Sequence, residues 1–597
     1  MLLIDEKFKD ESPKVTYEKI ERILKENGIS VTEHWNQSGV NHCHSLRVTI
    51  DGTNAGSNGK GLTRDLARAS AYAELMERLQ SGFLGLGDLE YGDSQELNPK
   101  ELMDTCGEWF SAIAASASAE SGKTVTPESI AQACFALEGK PTVTVIPYYN
   151  VNDDCLTAFP VKPMPYIYGS TGLAAGNSIE EALVQGYSEI VERRALMKFM
   201  KGGAVPPTVP ETYLCRFEMA HRIIEEIRAA GYDVIIKDCS MGEGYPVVAS
   251  VIIDRRTHGY HVHLGSSPIF EIALERSLTE MFQGRSLASI AETKNLLGAQ
   301  NGSRSVSDIH YAIRTGSGVY PIEFFGENAS YPFAPFADHS DKTNRELLKL
   351  VVEHLKKKGH KMLIRDLSHL GFHTYRIIIP GLSEDFYTDL TTNVPVWQFT
   401  ADTRNLMTDL AAINEAEAFE LKLLFHHQIP YYFNMVRFSD LTKLPLGLDA
   451  KGERKMGRLV LAFVEWKCGN RQAALKHAEA ALPVADAENE AYLSCLCKLP
   501  LFTSKGESFL DGLEKLSRFY QKEVVAELRE VLAQDQNPFA RFMLHCAPEY
   551  CEACKYRETC CVMAKKAVTA KVNAAGRTFD SAAGLAALAA CFQKIKE

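Results

Sequence analysis

Two hydrophobic periods alternate along roughly the first 395 residues, and one dominates thereafter. In VTYEKIERILKENGISVTEHW, residues 15 to 35, apolar side chains recur at helical spacing up to Gly28, and a strand pattern follows. LRVTIDG at 46–52 predicts a second strand, and GSNGKGLTRDLARASAYAELMERLQSG a Gly-rich turn feeding a long helix. Residues 97 to 135 read as helical, with ASASAESGKT as a loop tip, and TVTVIPYYNV at 142–151 reads as a buried strand. A helix at 217–229, the strands DVIIKDCS and PVVASVIID, and a helix from Ile269 to Arg285 continue the alternation. RELLKLVVEHLKKKGHKMLIRDLS and YRIIIPGL carry it to its end. The expectation is a mixed α/β (α+β) domain over 1–398, followed by an all-α domain over 399–597. In the latter, RLVLAFVEWKCGNRQAALKHAEAAL resembles a tetratricopeptide-like helix pair, a surface for a partner rather than for chemistry.

The polar positions of one predicted helix add chemistry to this outline. In the stretch Gly169–Arg194, with the part from Asn177 onward on a helix, Glu181, Gln185, Glu189 and Glu192 fall within about 80° of one another, with Leu183, Val184, Tyr187, Ile190 and Val191 opposite. A solvated face would interleave Lys or Arg, and none occurs from Gly169 to Glu192. Crowded carboxylates call for a divalent cation or a raised pKa. Glu189-x-x-Glu192-Arg193 also echoes Glu74-x-x-Glu77-Arg78 on the earlier helix, so the two motifs are expected to face each other across one site. Lys60 and its neighbouring glycines fit neither the GxxxxGK[ST] nor the GxGxxG phosphate loop.

Composition narrows the classes. The 597 residues suffice for two or three domains, and 45% hydrophobic with 24% charged residues is a soluble globular balance. A formal net charge of −11 argues against a nucleic-acid-coating surface. No apolar run approaches a membrane span, and MLLIDEKFKDESPK lacks the apolar core of a signal peptide, so a cytoplasmic protein without direct nucleic-acid or membrane binding is expected.

SNGKGLTRDLARASAYAELMERL, GLAAGNSIEEALVQGYSEIVERRAL and ALERSLTEMFQGR, in this order and at these separations, resemble the YcaO family over residues 1 to 395. The closest likeness is to its two-domain, name-giving member. The resemblance implies an ATP-binding fold without a phosphate loop, in which Glu74, Glu77, Glu181, Glu189 and Glu192 hold magnesium. Asn177, Gln185, Arg193 and Arg276 would contact ATP, and Lys9 would fold over it. Family enzymes use ATP to activate a backbone amide oxygen of a peptide, giving an azoline, amidine or thioamide. The C-terminal AACFQKIKE lacks the proline-rich end of azoline formers, and favours instead an accessory role in β-methylthiolation of a small-subunit ribosomal protein. The expected partners are thus a peptide or protein substrate, a ribosomal protein or its methylthiotransferase, and a second copy of the chain in a homodimer. The alternatives are a non-catalytic ATP-gated adaptor or scaffold, and an ATP-dependent azoline- or thioamide-forming enzyme of peptide maturation.

The resemblance stops short of HCAPEYCEACKYRETCC. Cys546, Cys551, Cys554, Cys560 and Cys561 have metal-ligand spacing for zinc or an iron–sulfur cluster, with ordinary buried thiols or a disulfide as the competing reading.

Overall fold

The computed structural model describes residues 8–84, 89–138, 140–162, 167–290, 308–309, 312–313, 318–384, 410–432, 450–482, 487–543 and 560–596. They divide into two compact units, Met1–Thr391 with Ala564–Glu597, and Thr392–Met563.

In the first unit, α1 (Pro13–Glu26) starts at the N-cap Ser12 and yields to Gly28 at φ +63°. Strands β1 (Val31–Asn36), β2 (His44–Ile50) and β3 (Gly56–Gly61) form an antiparallel sheet under α2 (Arg64–Gln80). Next come β4 (Gln95–Leu97), α3 (Pro99–Ser121), α4 (Pro127–Glu138), β5 (Val143–Asn150), β6 (Cys155–Pro160), β7 (Leu173–Ala175) and α5 (Ile179–Met200). A second βββα run follows α6 (Glu218–Ala229): β8 (Tyr232–Asp238), β9 (Val247–Asp254), β10 (Tyr260–Ser266) and α7 (Phe270–Glu280). After α8 (Asn344–Lys358), β11 (Leu363–Asp366) and β12 (Thr374–Ile378) complete a six-stranded sheet, β4-β5-β11-β12-β7 with β6 beside β5. Helices and strands are mixed, as expected, and every pairing of named strands is antiparallel.

Three strand-to-helix steps, β3–α2, β7–α5 and β10–α7, share one local design. A Cβ on Gly59 would lie 2.1 Å from the Ala67 carbonyl oxygen and 2.2 Å from the Ala71 nitrogen. On Gly265 it would lie 2.4 Å from the Ala273 oxygen and 2.5 Å from the Ser277 nitrogen, at the same offsets of eight and twelve residues. In β7 the equivalent position is Ala174, and the helix yields instead: a Cβ on Gly186, twelve residues on, would meet the Ala174 Cβ at 3.0 Å. Each helix therefore lies almost on the backbone of its own strand. Each also packs on the next strand, α2 on β7, α5 on β10 and α7 on β3, so the three steps close a ring.

This explains where the sequence reading departs from the structure. The Gly-rich stretch before α2 is a strand, and its glycines serve helix packing rather than a turn or a phosphate. ASASAES continues α3, whose alanines favour the helix and whose end falls at Gly122 in the left-handed conformation. Strand β10 escapes a period-2 reading because His261, His263 and Gly265 occupy the positions toward α7, and His261 is buried.

The second unit is helical: α9 (Glu415–Tyr432), α10 (Ala450–Lys467), α11 (Arg471–Ala481), α12 (Ala487–Phe502), α13 (Phe509–Leu516) and α14 (Lys522–Ala533). Val460, Phe463, Ala474, Ala478 and Tyr492 belong to its core, and the turn between α10 and α11 uses Gly469 at φ +76° and Asn470 as N-cap. The final helices, α15 (Val562–Thr578) and α16 (Ser581–Lys596), do not stay with it, although the sequence grouped them there. Val568 and Val572 pack in the core of α1, α2 and β2, and Leu588 and Phe592 in that of α5, α8 and β11.

Gly59→Ala should therefore destabilise the protein by about 1–3 kcal/mol, the cost of forcing backbone apart. Gly107→Ala, in the middle of α3 with only Met103 Cε at 3.8 Å, should be neutral or stabilising by up to about 1 kcal/mol. Denaturant unfolding of both variants checks the pair.

Candidate functional site

The ring has a chemical consequence at its helix ends. Fifteen residues after Gly59, Ala174 and Gly265 stand Glu74, Glu189 and Glu280, one per helix. Because the three helices leave their strands alike, these carboxylates converge. Three residues further on are Glu77, Glu192 and Gln283, and α2 and α5 add Arg78 and Arg193.

The side chains form a continuous field of alternating charge. Arg78 reaches Glu77 at 3.3 Å and Glu74 at 3.6 Å. Arg193 pairs with Glu189 at 3.2 Å and donates to the Ile313 carbonyl at 2.6 Å. Lys60 on β3 pairs with Glu280. Burial pushes the Glu77 carboxyl up to about 7, Arg78 opposing and Glu189 and Glu74 adding to the rise. Burial likewise raises Glu192 to about 8, reinforced by Glu280 and Glu189 against Arg193 and Lys60. Glu280 goes the other way: burial disfavours its charge, but Lys60 and Arg276 hold it below its ordinary value. His263 is kept neutral, its pKa lowered to about 4 chiefly by burial.

Two acids with pKa values near neutrality among other carboxylates are a site short of positive charge. Gln185 Oε1 is buried without a hydrogen-bond partner, and Glu77 Oε1 has only its ion pair with Arg78. An all-oxygen, carboxylate-rich donor set suits a hard cation such as magnesium, and the flanking Lys60, Arg78, Arg193 and Arg276 suit the phosphates of a nucleotide. Glu74, Glu77, Glu189, Glu192 and Glu280 would hold the metal.

The sequence-derived residues do not all gather here. Glu181 lies eight residues before Glu189 on α5, about 12 Å along the helix. It accepts from Lys9 Nζ at 3.2 Å, the Asp10 N–H at 3.0 Å and Asn177 Nδ2 at 3.2 Å. Burial opposes its ionisation, yet Lys9 and these hydrogen bonds keep its pKa lowered. Lys9, Asn177 and Glu181 thus form a second, satisfied group. Arg276 donates to the Ser266 carbonyl at 3.3 Å and acts on the charges of Glu280 and Lys60. The sequence reading missed Glu280, because the third helix breaks the Glu-x-x-Glu-Arg echo with Gln283 and Gly284. The offset from the packing glycine to the acid was the signal that could have found it.

Of the cysteine cluster, Cys546, Cys551 and Cys554 lie outside the described residues, while Cys560 is half-buried and Cys561 buried. Elsewhere among the described residues, the ligand atoms of Glu211, Cys215 and His221 lie within 4.8 Å of one another, but Arg228 already pairs with both Glu211 oxygens at 3.1 Å.

Residues 58–383 match the sequence model of the family described as YcaO cyclodehydratase, ATP- and Mg2+-binding, and so more than half of the chain. The chain belongs to the YcaO family. Similar proteins include the ribosomal protein S12 methylthiotransferase accessory factor YcaO of Escherichia coli (strain K12), 26% identical over 338 residues, or 55% of this chain and 57% of the relative. An uncharacterised protein of Haemophilus influenzae is 27% identical over 346 residues, 56% of this chain and 58% of its own. The chain thus spans 57–58% of the length of these curated relatives. Among solved structures, YcaO from Methanopyrus kandleri bound with AMPPCP and Mg2+ is similar with a TM-score of 0.40 at 18% identity, over 64% of this chain and 93% of that one. At that score the likeness has no bearing on the chemistry. Among the described residues no helix is long and apolar enough to cross a membrane.

The raised acids set a pH dependence. Folded Glu77 and Glu192 keep protons that the unfolded chain releases near its ordinary carboxylate value, so their contribution to stability is present at low pH and is lost as pH rises through about 7 and 8. The melting temperature without metal should fall from pH 5.5 to 8.5 less steeply in Glu192→Gln than in the wild type. Added magnesium should stabilise the wild type more at pH 8.5 than at pH 5.5, by displacing those protons.

Proposed function

We propose that the three-helix acid cluster binds magnesium–ATP, and that the protein uses it to activate a backbone amide of a peptide or protein, or to assist such a modification. One observation carries this reading: five carboxylates from three helices share a largely half-buried site with two raised pKa values and a flank of Lys60, Arg78, Arg193 and Arg276. The family description supports the choice of ATP and magnesium. When bound, they would supply a phosphoryl group and bridging of its oxygens. The residues of this chain would do the rest. Glu74, Glu77, Glu189, Glu192 and Glu280 would hold the cations, Gln185 and the arginines would orient the nucleotide and offset its charge, and Lys9 and Asn177 with Glu181 would secure the N-terminal segment.

Within this function, the role favoured is that of an accessory factor in β-methylthiolation of a small-subunit ribosomal protein, in line with the name of the E. coli relative. On this reading the protein is cytoplasmic and acts as a homodimer, with the helical unit, in the manner of tetratricopeptide repeats, receiving a partner such as the ribosomal protein or its methylthiotransferase. The alternative, an ATP-gated adaptor without turnover, is favoured by that same helical unit. Zinc or an iron–sulfur cluster at Cys546, Cys551, Cys554, Cys560 and Cys561 is a separate proposal, resting on spacing alone and open to metal analysis of anaerobically purified protein.

Titration with ATP and magnesium should show binding and slow hydrolysis. Glu189→Ala or Glu192→Ala should weaken binding at least tenfold, about 1.4 kcal/mol or more. Binding without hydrolysis would favour the adaptor, and undiminished binding in both variants would remove the assignment.

A further inference from the structure

A second cavity, of about 220 Å³, lies in the first unit where the segment around Tyr91, the end of β11 and the junction of α15 with α16 meet. None of the acid-cluster residues lines it. Its volume is below the usual range for nucleotide- or drug-sized ligands and suits a group the size of one side chain.

The charges lining it do not cancel. Arg365 donates to both Asp93 oxygens, at 2.6 and 2.8 Å, and Arg577 to Glu90 at 2.7 Å, so these four are matched. Asp366 is left over. It is 7% exposed, accepts the Ser368 N–H at 2.8 Å and has no ion pair. Of the two groups that act on its charge, Arg365 is already paired with Asp93, and His373 is driven toward the neutral form, mainly by burial. Helix α16 approaches so closely that a Cβ on Gly584 would lie 2.3 Å from Asp366 Oδ2. At the mouth, exposed Asp580 adds a second acid, committed only to the Ala583 N–H at 3.0 Å.

His369 supplies an independent observation. Its ring is engaged by the Leu367 backbone and packs edge-on to Phe579 at 6.3 Å, while Nε2 is buried with no hydrogen-bond partner. Burial lowers its pKa to about 4, so the imidazole is neutral and supplies no positive charge to Asp366. A buried carboxylate with no ion pair of its own, its pKa raised by burial although Ser368 and Arg365 oppose the rise, stands beside an unsatisfied ring nitrogen under walls that include Val572 and Phe579, and this matches a donor-rich cation on an apolar stem.

We propose that this cavity binds an alkylammonium group, with Asp366 as its counter-ion and His369 Nε2 as acceptor. The group comes either from a lysine side chain of a protein substrate or partner, or from a free small amine. The site is independent of the nucleotide reading, and would let the protein recognise a basic residue at a place separate from its acid cluster.

Isothermal titration of the full-length protein, without nucleotide, tests it with N-acetyl-lysine amide, N-acetyl-norleucine amide and cadaverine as probes. At least one amine should bind ten or more times tighter than the norleucine probe, and which amine binds tighter identifies the source. Asp366→Asn should weaken amine binding at least tenfold. Ala582→Phe, which fills the mouth from an exposed position, should do the same while circular dichroism and melting stay unchanged, and it decides the matter if Asp366→Asn fails to fold. Amines binding no better than norleucine, or amine binding unaffected by Ala582→Phe, would overturn the proposal.

Discussion

The close seating of three helices on three strand backbones is the constraint on which the first unit depends. Gly59 and Gly265 on the strand side, and Gly186 on the helix side, remove the one atom that would hold the elements apart. Close contact fixes both the rotation and the axial position of each helix. An acid fifteen residues beyond the contact is then delivered to the same place three times. Helix packing and ligand geometry are one design here, and no phosphate-cradling loop is needed.

What the packing assembles, electrostatics leaves unfinished. The arginines and Lys60 offset part of the acid charge, and the remainder appears as Glu77 and Glu192 carboxyls that hold protons near neutral pH. Glu280, with Lys60 beside it, stays ionised. Such a site responds to a divalent cation more strongly than a fully paired one, because the cation replaces protons instead of competing with ammonium groups. The satisfied Lys9–Glu181–Asn177 group on the same helix shows the contrast: its carboxylate already has its partners.

Much of this was legible before the structure. The helix read from Asn177 onward shows its carboxylate face by periodicity, and the repeated Glu-x-x-Glu-Arg indicates a second contributor. The antiparallel pairing and the return of α15 and α16 to the first unit were not legible, since they depend on contacts distant in sequence. Glu280 was hidden because its motif is degenerate, and β10 because the histidines toward α7 read as solvent positions. Asp366 and His369 carry no pattern at all; the approach of Gly584 reveals the first, and the unpartnered Nε2 the second.

The central claim is that three helices contribute equivalently to one cation–nucleotide site. Electron paramagnetic resonance of manganese, titrated in the presence of a non-hydrolysable ATP analogue, tests it through Glu74→Gln, Glu189→Gln and Glu280→Gln made one at a time. The account predicts nucleotide-dependent manganese binding in the wild type and a loss of tenfold or more in each variant. Manganese binding that ignores all three substitutions, or that depends on one helix alone, would contradict it.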